Sequence, residues 1–171
     1  MKTSASLLVC VLLVTNAAQA EVLDAREGAF SVQTSAVTAA TPAQVYAALG
    51  KPGLWWDPAH TWSGSAKNLS LQLRAGGCFC EKLPPGGSVE HGRVVFAQPG
   101  KLLRLDAALG PLQQMAVTAV LSFELKPEAA GTRVTMTYRV SGALTLEAAK
   151  LAPGVDQVMG TQFGRLIRFL E

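Results

Sequence analysis

The sequence predicts an α+β domain: a curved antiparallel sheet of seven strands around one long C-terminal helix, with two short helices after the first strand. Three observations carry this reading. Apolar residues recur with period two in successive segments between Trp62 and Val140, separated by Gly and Pro turns. Thr41-Pro42-Ala43-Gln44 has the form of a helix start. The apolar residues Val155, Met159, Phe163, Leu166 and Leu170 follow one another at helical steps.

Phe30 to Thr38 is β-rich and reads as the first strand. Thr41 then caps a helix, Pro42 suits its first position and Gln44 completes a capping box. Val45, Tyr46, Ala48 and Leu49 follow at helical spacing until Gly50 and Pro52 stop it. Leu54-Trp55-Trp56 continues as a second short turn, closed by Asp57-Pro58. Leu69, Leu71 and Leu73 alternate with polar residues, and Gly76-Gly77 turns the chain into a strand over Cys78–Leu83. Further strands are expected at Val89–Ala97 and Leu102–Ala108. After a looser segment at Leu109–Met115, Val117, Ala119, Leu121, Phe123 and Leu125 share one face, and Val134, Met136, Tyr138 and Val140 share one face of the last strand. Leu144–Leu151 reads as a short helical approach interrupted by Pro153-Gly154. The long helix Val155–Leu170 then has Asp156 near its start and Arg165 and Arg168 near its end, as the helix dipole favours.

Residues 1–20 read as a cleavable signal peptide, and residues 21–171 as one domain. Lys2 supplies the positive start, Leu7–Val14 is an unbroken apolar run, and Ala18-Gln19-Ala20 has the small-x-small form that precedes cleavage. The run is well short of the roughly 20 apolar residues of a spanning helix, so no stable membrane anchor is expected. A periplasmic or secreted protein is. Cleavage would remove Lys2 from the 15 basic residues and none of the 12 acidic ones, leaving a net charge of +2. The basic residues are scattered singly, which argues against a nucleic-acid partner.

A single sheet of this size must cover one face, and the final helix is the only element large enough to do it. A helix that does not fill the curve leaves a cavity, and such cavities take apolar molecules. The opening strand, "ATPAQVYAALGKPGLWW", "GGCFCE", "GGSVEHGRVV", "PGKLLRL" and the closing helix "APGVDQVMGTQFGRLIRFLE" together resemble the START/polyketide-cyclase (SRPBCC) superfamily over about residues 28–170. The resemblance implies the helix-grip fold. It also implies one of the superfamily's roles: binding hydrophobic ligands, cyclising polyketides, transporting lipids or activating a heat-shock ATPase. Export would remove the last, since a cytosolic chaperone and ATP would be absent. No motif matches a particular activity, so no catalytic residue is carried over.

The expected function is therefore an exported protein that binds a small hydrophobic molecule between sheet and C-terminal helix, without a cofactor. The alternative is a cyclase- or dehydratase-like enzyme using the same cavity, with His91, Arg93, Glu81 and Glu90 on neighbouring strands. The expected cavity residues are Trp55, Trp56, Trp62, Cys78, Cys80, His91, Met115, Tyr138, Met159 and Phe163. His60 and Asp57 share one loop and could orient a ligand, although a surface histidine is the commoner case. On strict alternation His91 and Arg93 share a face and Glu90 takes the other. Apolar residues accompany both sets, and the outward reading of His91 and Arg93 is slightly favoured.

Cys78 and Cys80 are two apart on a strand, so their side chains share a face, with Cα atoms about 6.7 Å apart. That is near the upper limit of roughly 6.8 Å for a disulfide. The first reading is a pair of thiols lining the cavity. The others are a redox pair or strained disulfide, and a soft-metal site with His91 as third ligand and Glu81 or Glu90 as fourth.

Overall fold

The computed structural model describes residues 21–143 and 147–171. The segment read as a signal peptide and residues 144–146 lie outside the described residues. Eight strands form one antiparallel sheet in the order β1-β2-β8-β7-β6-β5-β4-β3, and one long helix packs on it. The strands are β1 (Glu21–Arg26), β2 (Ala29–Thr38), β3 (Leu69–Leu71), β4 (Cys78–Leu83), β5 (Gly87–Gln98), β6 (Leu102–Asp106), β7 (Thr118–Glu128) and β8 (Gly131–Ser141). The helices are α1 (Pro42–Leu49), α2 (Pro52–Trp55) and α3 (Ala148–Phe169). Among the described residues no helix is long and apolar enough to cross a membrane.

Among the described residues the strand count is eight, not seven. β1 pairs antiparallel with β2 and forms the sheet edge. Only Val22 of its six residues is even half-buried, so it shows no apolar alternation. Pairing, not burial, makes it a strand. At the opposite edge β3 ends at Leu71, earlier than the alternation through Leu73 suggested. The centre is as the sequence reads: Ala119, Leu121, Phe123 and Leu125 of β7 and Val134, Met136, Tyr138 and Val140 of β8 are all buried.

α1 begins with the expected capping box. Thr41 Oγ1 accepts the Gln44 N–H at 3.3 Å, and Gln44 Oε1 accepts the Thr41 N–H at 2.8 Å. α3 runs straight through Pro153 instead of starting after it. The proline forfeits one backbone hydrogen bond, and the helix persists because Ala148 and Ala152 are buried on the face that meets the core. The longer helix changes the role of Asp156. It lies in the third turn, beyond reach of the N-terminal dipole, and burial together with the Glu21 carboxylate pushes its pKa up. Arg165 donates from Nε to the Trp55 carbonyl at 2.8 Å, tying α3 to the end of α2.

β5 departs from regular alternation twice, opposite Phe79/Cys80 of β4 and between Val94 and Phe96. At the first bulge Phe79 faces Gly92 and Cys80 faces Glu90, so His91 is the extra residue. Gly92 is required beside it. A Cβ there would lie 2.5 Å from the Ala107 Cβ and 2.8 Å from the Asp106 carbonyl oxygen. Gly92→Ala should therefore cost about 2–3 kcal/mol of stability, read as a lowered urea midpoint with unchanged slope. A midpoint within error of the wild type would show that β6 yields freely at this point.

Candidate functional site

A cavity of about 530 Å³ lies between the sheet and the N-terminal half of α3. Leu151, Val155, Val158 and Met159 of α3 form one wall, and His91 of β5 and Tyr138 of β8 form the sheet side. Trp56, His60 and Trp62, together with Leu109, Leu112 and Met115, complete the lining. Almost the whole surface is carbon.

The cavity's polar lining residues include His60, Thr61 and Lys150 on the open side and one buried imidazole, His91. It is 6 % exposed, and its Nε2 lies 2.8 Å from Oε2 of Glu81 on β4, itself 1 % exposed. Glu81 also accepts the Trp62 N–H on Oε2 at 3.1 Å and the Ser63 N–H on Oε1 at 2.5 Å. Burial acts to raise the Glu81 pKa. The hydrogen bonds from Ser63, the Trp62 amide and His91 outweigh it and hold the carboxyl below its ordinary value. An ionised carboxylate only accepts, so the Nε2 of His91 carries a hydrogen. The other ring nitrogen, Nδ1, has no protein partner among the described residues, and the imidazole forms part of the cavity wall. Phe79 holds the ring from one side, with centroids 5.1 Å apart.

The slightly favoured outward reading of His91 is corrected by the bulge. With one extra residue in β5, His91 turns inward, while Glu90 and Arg93 share the outer face and pair at 2.5 Å. Cys78 and Cys80 lie across the ladder from Arg93 and Glu90, also outside, and are absent from the cavity wall. They are joined as a disulfide with Cα atoms 5.4 Å apart, closer than an extended strand would hold them. His91 and Glu81 therefore do not join the cysteines. Among the described residues only Glu90 brings a third donor to the pair, all three atoms lying within 4.8 Å of one another.

Trp55 is buried behind Trp56 and donates from Nε1 to the Ala48 carbonyl at 2.9 Å, so it belongs to the core. Phe163 is 1 % exposed and lies outside the cavity lining. Trp56, Trp62, His91, Met115, Tyr138 and Met159 line it, with Trp62 and Met115 half open to solvent at the rim. The Tyr138 hydroxyl donates to the Ala107 carbonyl at 2.8 Å and accepts the Leu109 N–H at 3.0 Å. Burial pushes its pKa far up, against the smaller opposing effect of the Leu109 amide. It stays a phenol that positions the Leu109 segment.

The match to known families spans residues 29–171, and the matching family is described as polyketide cyclase / dehydrase and lipid transport. The chain belongs to this family. No curated protein matches it in sequence. Solved structures share the fold. Protein EF2215 from Enterococcus faecalis, a conserved protein of unknown function, is 17 % identical with a TM-score of 0.58, covering 89 % of this chain and 77 % of its own. Protein NE0264 from Nitrosomonas europaea is 18 % identical with a TM-score of 0.57, covering 82 % and 93 %. Protein MLL2253 from Mesorhizobium loti is 18 % identical with a TM-score of 0.56, covering 82 % and 96 %.

In this member of the family a second polar link ties α3 to the loop at the cavity mouth. Gln162, 1 % exposed, accepts the Asp57 N–H on Oε1 at 2.8 Å, and its Nε2 lies 2.8 Å from His60 Nδ1. The amide nitrogen only donates, so His60 Nδ1 accepts. Trp56 Nε1 donates to the His60 carbonyl at 3.0 Å. Sequence reasoning placed Asp57 and His60 in one loop but missed Gln162, since nothing along the chain joins residues 105 apart. Gln162→Leu should leave the half-buried Asp57 amide unpaired and cost about 1–3 kcal/mol. Hydrogen exchange at Asp57 and the 59–62 amides should accelerate. Unchanged protection would show that the loop is held by other contacts.

Proposed function

We propose that this chain is an exported carrier or receptor for a small, largely apolar molecule bearing one polar group, which His91 reads. The observation that carries this is a cavity of about 530 Å³ with a mostly carbon wall and one buried imidazole anchored by a carboxylate. That volume is within the roughly 300–1,000 Å³ range of small-molecule sites. Glu81 fixes the ring's orientation, so a hydrogen bond from a ligand to Nδ1 costs little ordering. Family membership supports the same class of ligand. Lys2, the apolar run Leu7–Val14 and Ala18-Gln19-Ala20 support export to the periplasm or the medium.

The test is native mass spectrometry of protein gently purified from an exporting host. A non-covalent adduct of small-molecule mass should appear and be released by organic solvent. The processed chain should begin at Glu21. A bare protein that takes up no member of a panel of fatty acids, sterols and polycyclic aromatics would overturn the binding reading. An unprocessed N-terminus would overturn the export reading alone.

The His91–Glu81 pair favours a second reading, a cyclase- or dehydrase-like enzyme. An imidazole oriented by a carboxylate is the arrangement of a general base beside an enolisable carbonyl compound. Turnover separates the readings: a carrier returns its ligand unchanged, whereas an enzyme returns a product differing by loss of water or by a new ring. His91→Gln would abolish the conversion while leaving apolar binding in place.

A further inference from the structure

We infer that Cys78 and Cys80 form a reversible thiol–disulfide exchange site on the outer face of the sheet, whose redox state sets the position of His91 in the cavity. Three observations lead there. The bond joins two residues of one strand, so it ties no separate elements together, and loop closure contributes least at so short a separation. Both cysteines are half-buried on a face where Glu90 and Arg93 are open to solvent, so an incoming thiolate has access. The pair draws β4 together, 5.4 Å between Cα atoms against about 6.7 Å for an extended strand. The bulge in β5 that turns His91 inward lies directly opposite this contraction.

The connection to the cavity runs through Phe79. It sits between the two cysteines, points to the inner face, and packs against His91 at 5.1 Å and Trp56 at 5.3 Å. Breaking the bond releases β4 to extend. One residue of β4 then no longer opposes two of β5, and Phe79 and His91 shift together.

The partner is a dithiol. One of its thiolates attacks the Cys80 sulfur, forming a mixed disulfide as the Cys78–Cys80 bond breaks. Cys78 leaves as a thiolate opposite the Arg93 guanidinium. The partner's second thiolate attacks its own sulfur in the mixed disulfide and expels Cys80. The partner departs as a disulfide, having given two electrons, and both cysteine thiolates take up protons. In the reverse direction Glu90 Oε2, 4.0 Å from Cys78 Sγ, is the nearest acceptor for the thiol proton.

The experiment equilibrates the folded protein with mixtures of reduced and oxidised dithiothreitol. Thiols are counted by alkylation and intact mass, and the histidine ring signals are followed by NMR. The protein has two histidines, so His60→Asn assigns them. A single two-electron transition is expected with the circular dichroism of the fold retained, and the His91 signals should move in step with it. The Cys78→Ser/Cys80→Ser variant should show the reduced-state His91 signals in every buffer. A disulfide that yields only when the fold is lost would overturn the inference. So would thiols that appear while His91 stays still, or a double variant that matches the oxidised protein. No ligand enters the measurement, so its failure is distinct from failure of the binding reading.

Discussion

Replacing Glu81 by alanine is expected to lower the unfolding free energy by about 3–5 kcal/mol. The substitution leaves the Trp62 and Ser63 amides and the His91 Nε2–H without their acceptor in a place from which water is largely excluded. It also removes the group that holds the rim loop carrying Trp62 against β4. Chemical denaturation measures the loss, and a change below about 1 kcal/mol would show that solvent replaces the carboxylate. The pH dependence is a sharper signature. The Glu81 pKa is lower in the folded protein than its ordinary value of 4.5. Its contribution is therefore fully present above that value and is lost as the pH falls through the lower, folded one. The wild type should lose stability on acidification below about pH 4.5, and Glu81→Ala should show a shallower acid limb. An acid limb equally steep in the variant would assign the effect to other carboxylates. Glu81→Gln keeps the size but brings an NH₂ group against three donors, so it should recover only part of the loss.

Filling the cavity is expected to abolish binding without unfolding the protein. Val158 lies on the wall formed by α3, half-buried and facing empty volume. In Val158→Trp the indole would occupy the space of the ligand. Affinity for an apolar fluorescent probe such as anilinonaphthalene sulfonate should fall at least ~100-fold. Stability should change by less than about 1 kcal/mol, because the larger side chain enters a void instead of a packed core. Probe binding that survives would place the apolar site elsewhere, the exposed pair Val95 and Phe96 on the outer face being the first alternative. Together the variants separate the two parts of the site: Glu81 orients the polar reader, and the α3 wall sets the room beside it.

The sequence by itself determined the central part of this fold. Period two in β7 and β8, the capping box at Thr41 and the apolar stripe of α3 are local patterns, each needing only neighbours within a few residues to be read. They were sufficient for the helix-grip arrangement and for a cavity on the concave side. Edge strand β1 stayed hidden because pairing, not burial, makes it a strand, and pairing leaves no apolar period. Helix α3 was placed too late because Pro153 stops a helix by local rules, while the burial of Ala148 and Ala152 that carries it through is tertiary.

The site turned on a single residue of register. Strict alternation put His91 with Arg93 and Cys78 with Cys80, and the first reading turned the cysteine pair to the cavity. One extra residue in β5 reversed His91, left Arg93 and Glu90 outside together, and brought His91 onto Glu81. A bulge shifts the side chains that follow it by one face, and it sits among features of other segments: the Cys78–Cys80 pair opposite it and the close approach of Ala107 to Gly92. The residue types of the site were thus legible in the chain. Their facing was not, because it depends on contacts that exist only once β4, β5 and β6 lie side by side.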